Sequence, residues 1–162
     1  MHENGKLPQR RNMANMSAGN EVFTHTFPNL LPVLEELKSR EPIFHRLESS
    51  SSAADLEKLI APDYWEASAS GRRYSRDFIL RELEKNAPVD ATSAGWQSYD
   101  HAVKHLGSET YLITYTLRQI DRITRRATIW RRTSDGWCIL YHQGTIVSIE
   151  EDDTHPSPPL SE

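Results

Sequence analysis

Hydrophobic and polar positions shift along this chain from mainly helical spacing to strand alternation. Leu30, Leu34 and Leu37 recur at helical spacing and predict a first helix starting near Asn29, whose side chain can cap it. One more turn of the same stripe reaches Glu41, with Phe44 and His45 just beyond, but Pro42 has no N–H to donate and must kink or restart the helix. A serine run makes Leu47 to Ala54 a loop. Asp55, or a serine before it, then caps a short helix, DLEKLIAP, ending at Pro62. A strand is expected from Tyr64 to Ala69, a turn at Ser70 and Gly71, a short return through Arg73 and Tyr74, and a helix capped by Ser75 that carries Phe78, Ile79, Leu80 and Leu83. Ala87 to Gly95 is a loop, and beyond it the period is two. Trp96 to Leu106 and Glu109 to Gln119 are strands turning at Gly107 and Ser108. Ala127 to Arg132 and Trp137 to Val147 form a hairpin around Thr133, Ser134, Asp135 and Gly136, where Asp before Gly suits the positive φ of a tight turn.

Alternation divides that hairpin into two faces. Thr128, Trp130 and Arg132 oppose Ala127, Ile129 and Arg131; Cys138, Leu140, His142 and Gly144 oppose Trp137, Ile139, Tyr141, Gln143 and Thr145. Both sets hold large side chains, so neither face is expected to be wet: helices cover one, and a second copy of the chain is expected on the other. Helices first and a four-stranded antiparallel meander afterwards make an α+β fold, with helices on one face of a bent sheet.

Length and charge narrow the function classes. The 162 residues suffice for one core, and a net charge of −4 argues against a nucleic-acid binder, which needs a basic surface. Arg118, Arg122, Arg125, Arg126, Arg131 and Arg132 read as a solvated sheet edge guarded by charge, with an anionic partner as the alternative. Residues 1–26 are polar and aperiodic, an expected flexible arm in which Met13 and Met16 are alternative starts. The acidic, proline-rich residues 150–162 are an expected disordered tail, which leaves a domain over 27–149. No apolar run is long enough for a membrane span and no secretory leader is evident, so a cytoplasmic protein is expected. The single Cys138 excludes an internal disulfide and reads as a buried small side chain.

Candidate chemistry starts at Glu41. A carboxylate on an apolar stripe beside a helix break would have its pKa raised by burial; the plain alternative is that it reaches water or pairs with His45. The histidines do not cluster at metal-ligand spacing, and phosphate loops, dinucleotide fingerprints and nucleophile elbows are missing, so no metal and no cofactor are expected.

The element order and the hairpin segments I-W-R-R, D-G-W and L-Y-H-Q-G-T resemble the nuclear transport factor 2-like superfamily, whose branches include ketosteroid isomerases, SnoaL-like cyclases and the association domain of calmodulin-dependent kinase. The likeness is nearest to its bacterial branch of unknown function, through Glu41 to His45, Trp65 to Arg72, Trp130 to Arg132 and His142 to Thr145. The resemblance implies a cystatin-like cone: a curved antiparallel sheet wrapped around the first helix, a pocket at the wide end, and a homodimer through the sheets. It implies that Thr128, Trp130, Leu140 and His142 face inward, and Trp137, Ile139, Tyr141 and Gln143 face the dimer. Thr128 stands where the kinase association domain carries its basic pocket residue, so that anion site is not expected here.

An inward His142 with a carboxylate from Glu66 or Glu41 and a phenol from Tyr64, Tyr74 or Tyr115 would make an acid–base set. An unperturbed imidazole titrates near ~6.5, a carboxylate on its other nitrogen fixes the tautomer, and a phenol can donate to a developing enolate oxygen. Trp130, Thr128, Tyr115, Tyr64, Tyr74, His45 and Leu140 are the expected pocket lining. The expected function is binding of a small apolar or carbonyl-bearing ligand, with cofactor-independent isomerisation, dehydration or cyclisation. The alternative is a non-catalytic homodimeric module that binds a ligand or a protein. Neither nucleic acid nor membrane is an expected partner.

Overall fold

A computed structural model describes residues 25–41, 53–85 and 94–147 of the chain. The expected arm before residue 25, His45, most of the serine and Ala87–Gly95 loops, and the tail lie outside the described residues. The first helix begins slightly later than its periodicity suggests. Pro28–Leu30 form a turn of 3-10 helix, and α1 spans Leu31–Arg40 with Pro32 in its first turn, where a missing N–H costs nothing. Leu34 and Leu37 are buried, and the Glu41 N–H closes the last turn onto the Leu37 carbonyl at 2.9 Å.

The remaining elements are α2 (Ala53–Leu59), β1 (Ile60–Ala67), β2 (Arg73–Ser75), α3 (Arg76–Lys85), β3 (Gln97–Gly107), β4 (Thr110–Arg118), β5 (Ile123–Thr133) and β6 (Gly136–Val147). The α+β expectation holds, with a curved sheet and few helices. The sheet, however, is six-stranded in the order β2-β1-β6-β5-β4-β3 instead of a four-stranded meander. β1 lies parallel to β6, while the other neighbours are antiparallel. β1 also starts at Ile60, within the segment expected to be helical. Ile60 is fully buried opposite Ile139, a burial that a helix ending at Pro62 would forfeit, and the pairing is irregular up to Trp65, the stretch where Pro62 has no ladder donor.

A second correction concerns the hairpin. Ser134 and Asp135 form its turn and Gly136 takes φ +118°, as expected, but the ladder steps from Ile129 opposite Tyr141 to Trp130 opposite Ile139. Leu140 is the extra residue of a β-bulge. One extra residue reverses the parity of everything beyond it, so Trp137 and Ile139 point inward with Trp130, and Leu140 is only half-buried at the bulge. The expected placement of Trp137 and Ile139 on an outer dimer face is therefore overturned. Trp137 instead packs edge-to-face on Trp130 and Tyr111, at 6.5 and 5.4 Å between ring centroids.

The sheet fastens to α1 through Glu36. Its carboxylate accepts the Trp137 indole N–H at 2.7 Å and Arg132 Nη2 at 2.9 Å, and Arg132 stacks over the Trp137 ring at 4.5 Å. The Trp137 hydrogen bond, with Arg132 and Arg40 beside it, holds the Glu36 carboxyl below its usual pKa. Glu36→Gln is expected to lower stability by about 1 kcal/mol or less, because the group is partly solvated. Urea denaturation at neutral pH checks this, and a loss above about 3 kcal/mol would contradict a solvent-screened contact.

Candidate functional site

Register places the polar inward residues in two rows. On the first, Glu66 of β1 is opposite His142 of β6, which is opposite Thr128 of β5. On the second, Arg126 of β5 lies between Gly144 of β6 and Tyr115 of β4. Tyr64 shares the face of Glu66, two residues away. Glu41 enters from the C-terminal end of α1, carried inward by the stripe that buries Leu34 and Leu37.

Glu41 is the hub. The Trp130 indole donates to its Oε1 at 2.7 Å, Thr128 and Tyr115 hydrogen-bond to it as well, and the Arg126 charge acts on it. Even so, burial outweighs these partners and pushes the Glu41 carboxyl above its usual pKa. Tyr64 donates to Glu66 Oε2 at 2.8 Å, and burial likewise raises the Glu66 carboxyl against the pull of Tyr64 and Arg126. Tyr64 and Tyr115 are both held well above an ordinary phenol, first by burial and then by the carboxylates beside them.

Thr128 Oγ1 is 2.9 Å from His142 Nδ1. A threonine hydroxyl has one proton. When that proton goes to Glu41, the Thr128 oxygen can only accept from His142, and Nδ1 then carries hydrogen and Nε2 the lone pair. Glu41, Thr128 and His142 thereby line up so that a carboxyl oxygen accepting from Thr128 sets the imidazole tautomer. All three are nearly inaccessible, at 4%, 1% and 5% exposure, and Glu66 is only 9% exposed.

Arg126, which composition alone assigns to a solvated edge, belongs to this cluster. Its guanidinium donates Nε–H to Thr124 Oγ1 at 3.1 Å, hydrogen-bonds Tyr115, and acts on both Glu41 and Glu66; burial lowers its pKa. Alternation carries the signal, since Arg126 shares parity with Thr128 and Trp130. No motif marks His101, yet its ring stacks on Tyr115 at 5.4 Å and 12°. One expected lining residue stands elsewhere, since Leu140 occupies the bulge. Tyr74 of β2 lies opposite Glu66, extending the first row, and is half-buried against the apolar core with its ring stacked on Phe78 at 4.6 Å. His45 lies outside the described residues. The structure thus brings Glu41, Glu66, His142, Thr128, Trp130, Tyr64 and Tyr115 to one inward face, with Arg126 among them.

Two carboxyls biased toward holding protons, an oriented imidazole and phenol donors can give and take protons. Among the described residues no three His, Cys, Asp or Glu side chains are grouped to hold a metal ion, and no helix is long and apolar enough to cross a membrane.

No protein-family model matches the sequence, and no curated protein matches it either. Solved structures do. A cystatin-like fold protein from Burkholderia xenovorans is 15% identical, with a TM-score of 0.56 over 75% of this chain and 95% of its own. A protein of unknown function from Pectobacterium atrosepticum is 17% identical, with a TM-score of 0.53 over 76% and 100%. A candidate dehydratase of the nuclear transport factor 2-like family from Streptomyces avermitilis is 18% identical, with a TM-score of 0.53 over 72% and 97%. At such identities the likeness is one of fold.

Proposed function

We propose that this chain, which has the nuclear transport factor 2-like, cystatin-like fold, binds a small carbonyl-bearing ligand on its inward face and moves protons on it without a metal or cofactor. The observation that carries the reading is the convergence of Glu41, Glu66, His142 and Arg126 on one face, with Tyr, Thr and Trp side chains among their hydrogen-bonding company. A scaffold built for stability alone would place apolar residues there, because buried charges stabilise a fold weakly at best. His142 Nε2 is the candidate base, held in its tautomer by Thr128 and Glu41. Glu66 is the candidate proton donor, and Arg126 the candidate stabiliser of an enolate oxygen. Isomerisation, dehydration and cyclisation all use such a set.

A second reading has its own observation. The register aligns Trp65, Tyr141, Ile129 and Leu112 across four strands of the outward face, with Trp65 48% exposed and tilted against the Tyr141 ring at 4.6 Å between centroids. An apolar row of that kind suits a homodimer or another protein partner, with the inward cluster serving stability.

A thermal-shift screen of the full chain against a metabolite library, with His142→Ala alongside, separates the two. Binding to the native state alone raises stability by RT ln(1 + [L]/Kd), so a ligand that stabilises wild type and not the folded variant supports the first reading. A broad library with no such ligand, or ligands indifferent to His142→Ala, would overturn it.

A further inference from the structure

We propose that the outward face of the sheet carries a second, independent site, a binding site for a small oxyanion such as a carboxylate or phosphate group. A depression of about 330 Å³ opens there, on the side of the sheet away from Glu41 and His142. Register explains it. Ala127 is flanked by Gln143 and Thr114, and the next row holds Thr145, Arg125 and Thr116. A methyl side chain at the centre of longer neighbours leaves a hollow.

Several side chains around the hollow carry donors, on a wall that is otherwise mostly apolar. Arg125 Nη1 donates to Thr116 Oγ1 at 3.1 Å, which anchors the guanidinium at the rim, and a guanidinium carries five N–H donors and can serve several acceptors at once. Thr116 itself is buried and serves to hold Arg125. The Tyr141 hydroxyl donates to Gln143 Oε1 at 2.6 Å, so the carbonyl end of that amide is engaged and its NH2 is the end that faces a ligand. Thr145 adds a hydroxyl. Arg126, one residue along β5, contributes positive potential through the sheet. A guanidinium, an amide NH2 and hydroxyls around a hollow of this size match an acceptor-only group bearing negative charge, whose hydrogen bonds to Arg are the strong, charge-assisted kind.

Asp100 supplies the opposing element. It lines the same depression, held in a left-handed conformation at φ +55° where β3 slips register between Tyr99 and Ala102. Its carboxylate repels an anion and so opposes the attraction that Arg125 supplies.

The test is an amide NMR titration of the full chain with inorganic phosphate, and separately with acetate, at constant ionic strength. Saturable shifts at Thr114, Thr116, Ala127 and Gln143 are expected with at least one of the two anions, and the tighter of them identifies the preferred group. Arg125→Gln is expected to weaken binding about tenfold or more, the loss of one charge-assisted hydrogen bond. Gln143→Glu, which puts a carboxylate in the hollow without touching Arg125, should abolish binding, while Asp100→Asn should tighten it and Arg131→Gln should leave it unchanged. Unsaturable shifts, shifts centred on the inward residues, or equal weakening by Arg125→Gln and Arg131→Gln would each overturn the proposal. A partner covering this face in solution would also overturn it, by leaving the depression closed to both ions.

Discussion

Trp130→Ala is expected to destabilise the domain by about 3–5 kcal/mol, a large share of the total stability of an ordinary domain. Three losses coincide. Trp130 is fully buried between Tyr111, Ile113, Trp137 and Ile139 in the core, so truncation leaves a cavity that neighbouring strands cannot fill. Its ring also supplies the edge-to-face contact with Trp137. Its indole N–H donates to Glu41 at 2.7 Å, and removing it leaves a buried carboxyl short of a partner. Trp130→Phe separates these contributions. It keeps most of the apolar volume and removes the donor, and about 1–3 kcal/mol of the loss should survive in it. Urea denaturation of the three proteins checks the prediction. A Trp130→Phe variant as stable as wild type would mean that the indole–Glu41 contact contributes nothing.

The second large effect is on pH dependence. Burial holds Glu41 and Glu66 above the ordinary carboxylate pKa in the folded state. The native protein therefore binds these protons more tightly than the unfolded chain does. The stability tied to them is fully present below the ordinary carboxylate range and is lost as pH rises through the raised values. Each tenfold gain in proton affinity corresponds to about 1.4 kcal/mol. Wild type should accordingly lose stability relative to Glu41→Gln/Glu66→Gln as pH rises above the ordinary carboxylate range, since amides keep the shape and cannot ionise. Glu36 has the opposite sign, because its folded pKa is lowered: its stabilisation is present above the ordinary carboxylate range and disappears only as pH falls through the lowered value. The two effects occupy different pH windows. Denaturation midpoints of wild type and the double variant across that range provide the measurement, and parallel curves would contradict the account.

Much of this arrangement is legible in local pattern. The stripe of Leu34, Leu37 and Glu41 needs only helical spacing, and the Asp135–Gly136 turn needs only the φ preference of glycine. Tyr64 and Glu66 come together because residues two apart share a strand face. What local pattern lacks is long-range. The parallel pairing of β1 with β6 joins segments about seventy residues apart in sequence, and neither strand encodes its partner. The bulge at Leu140 is one residue of slip, invisible to alternation, and it turns Trp137 and Ile139 inward. Arg126 is hidden for a different reason. Composition groups it with five other arginines as edge charge, although its parity with Thr128 already points it at the carboxyls, where Tyr115, Glu41 and Glu66 compensate its burial.

The most direct test of the inward site is an NMR spectrum of ring-labelled histidine protein with each ligand found by thermal shift. The His142 and His101 ring signals should move on binding, the effect should saturate at the affinity seen in the screen, and Glu66→Gln or Arg126→Gln should weaken it while the protein stays folded. Ligands that leave the His142 ring signal in place, or that bind equally well to both variants, would contradict an acid–base site built from Glu41, Glu66, His142 and Arg126.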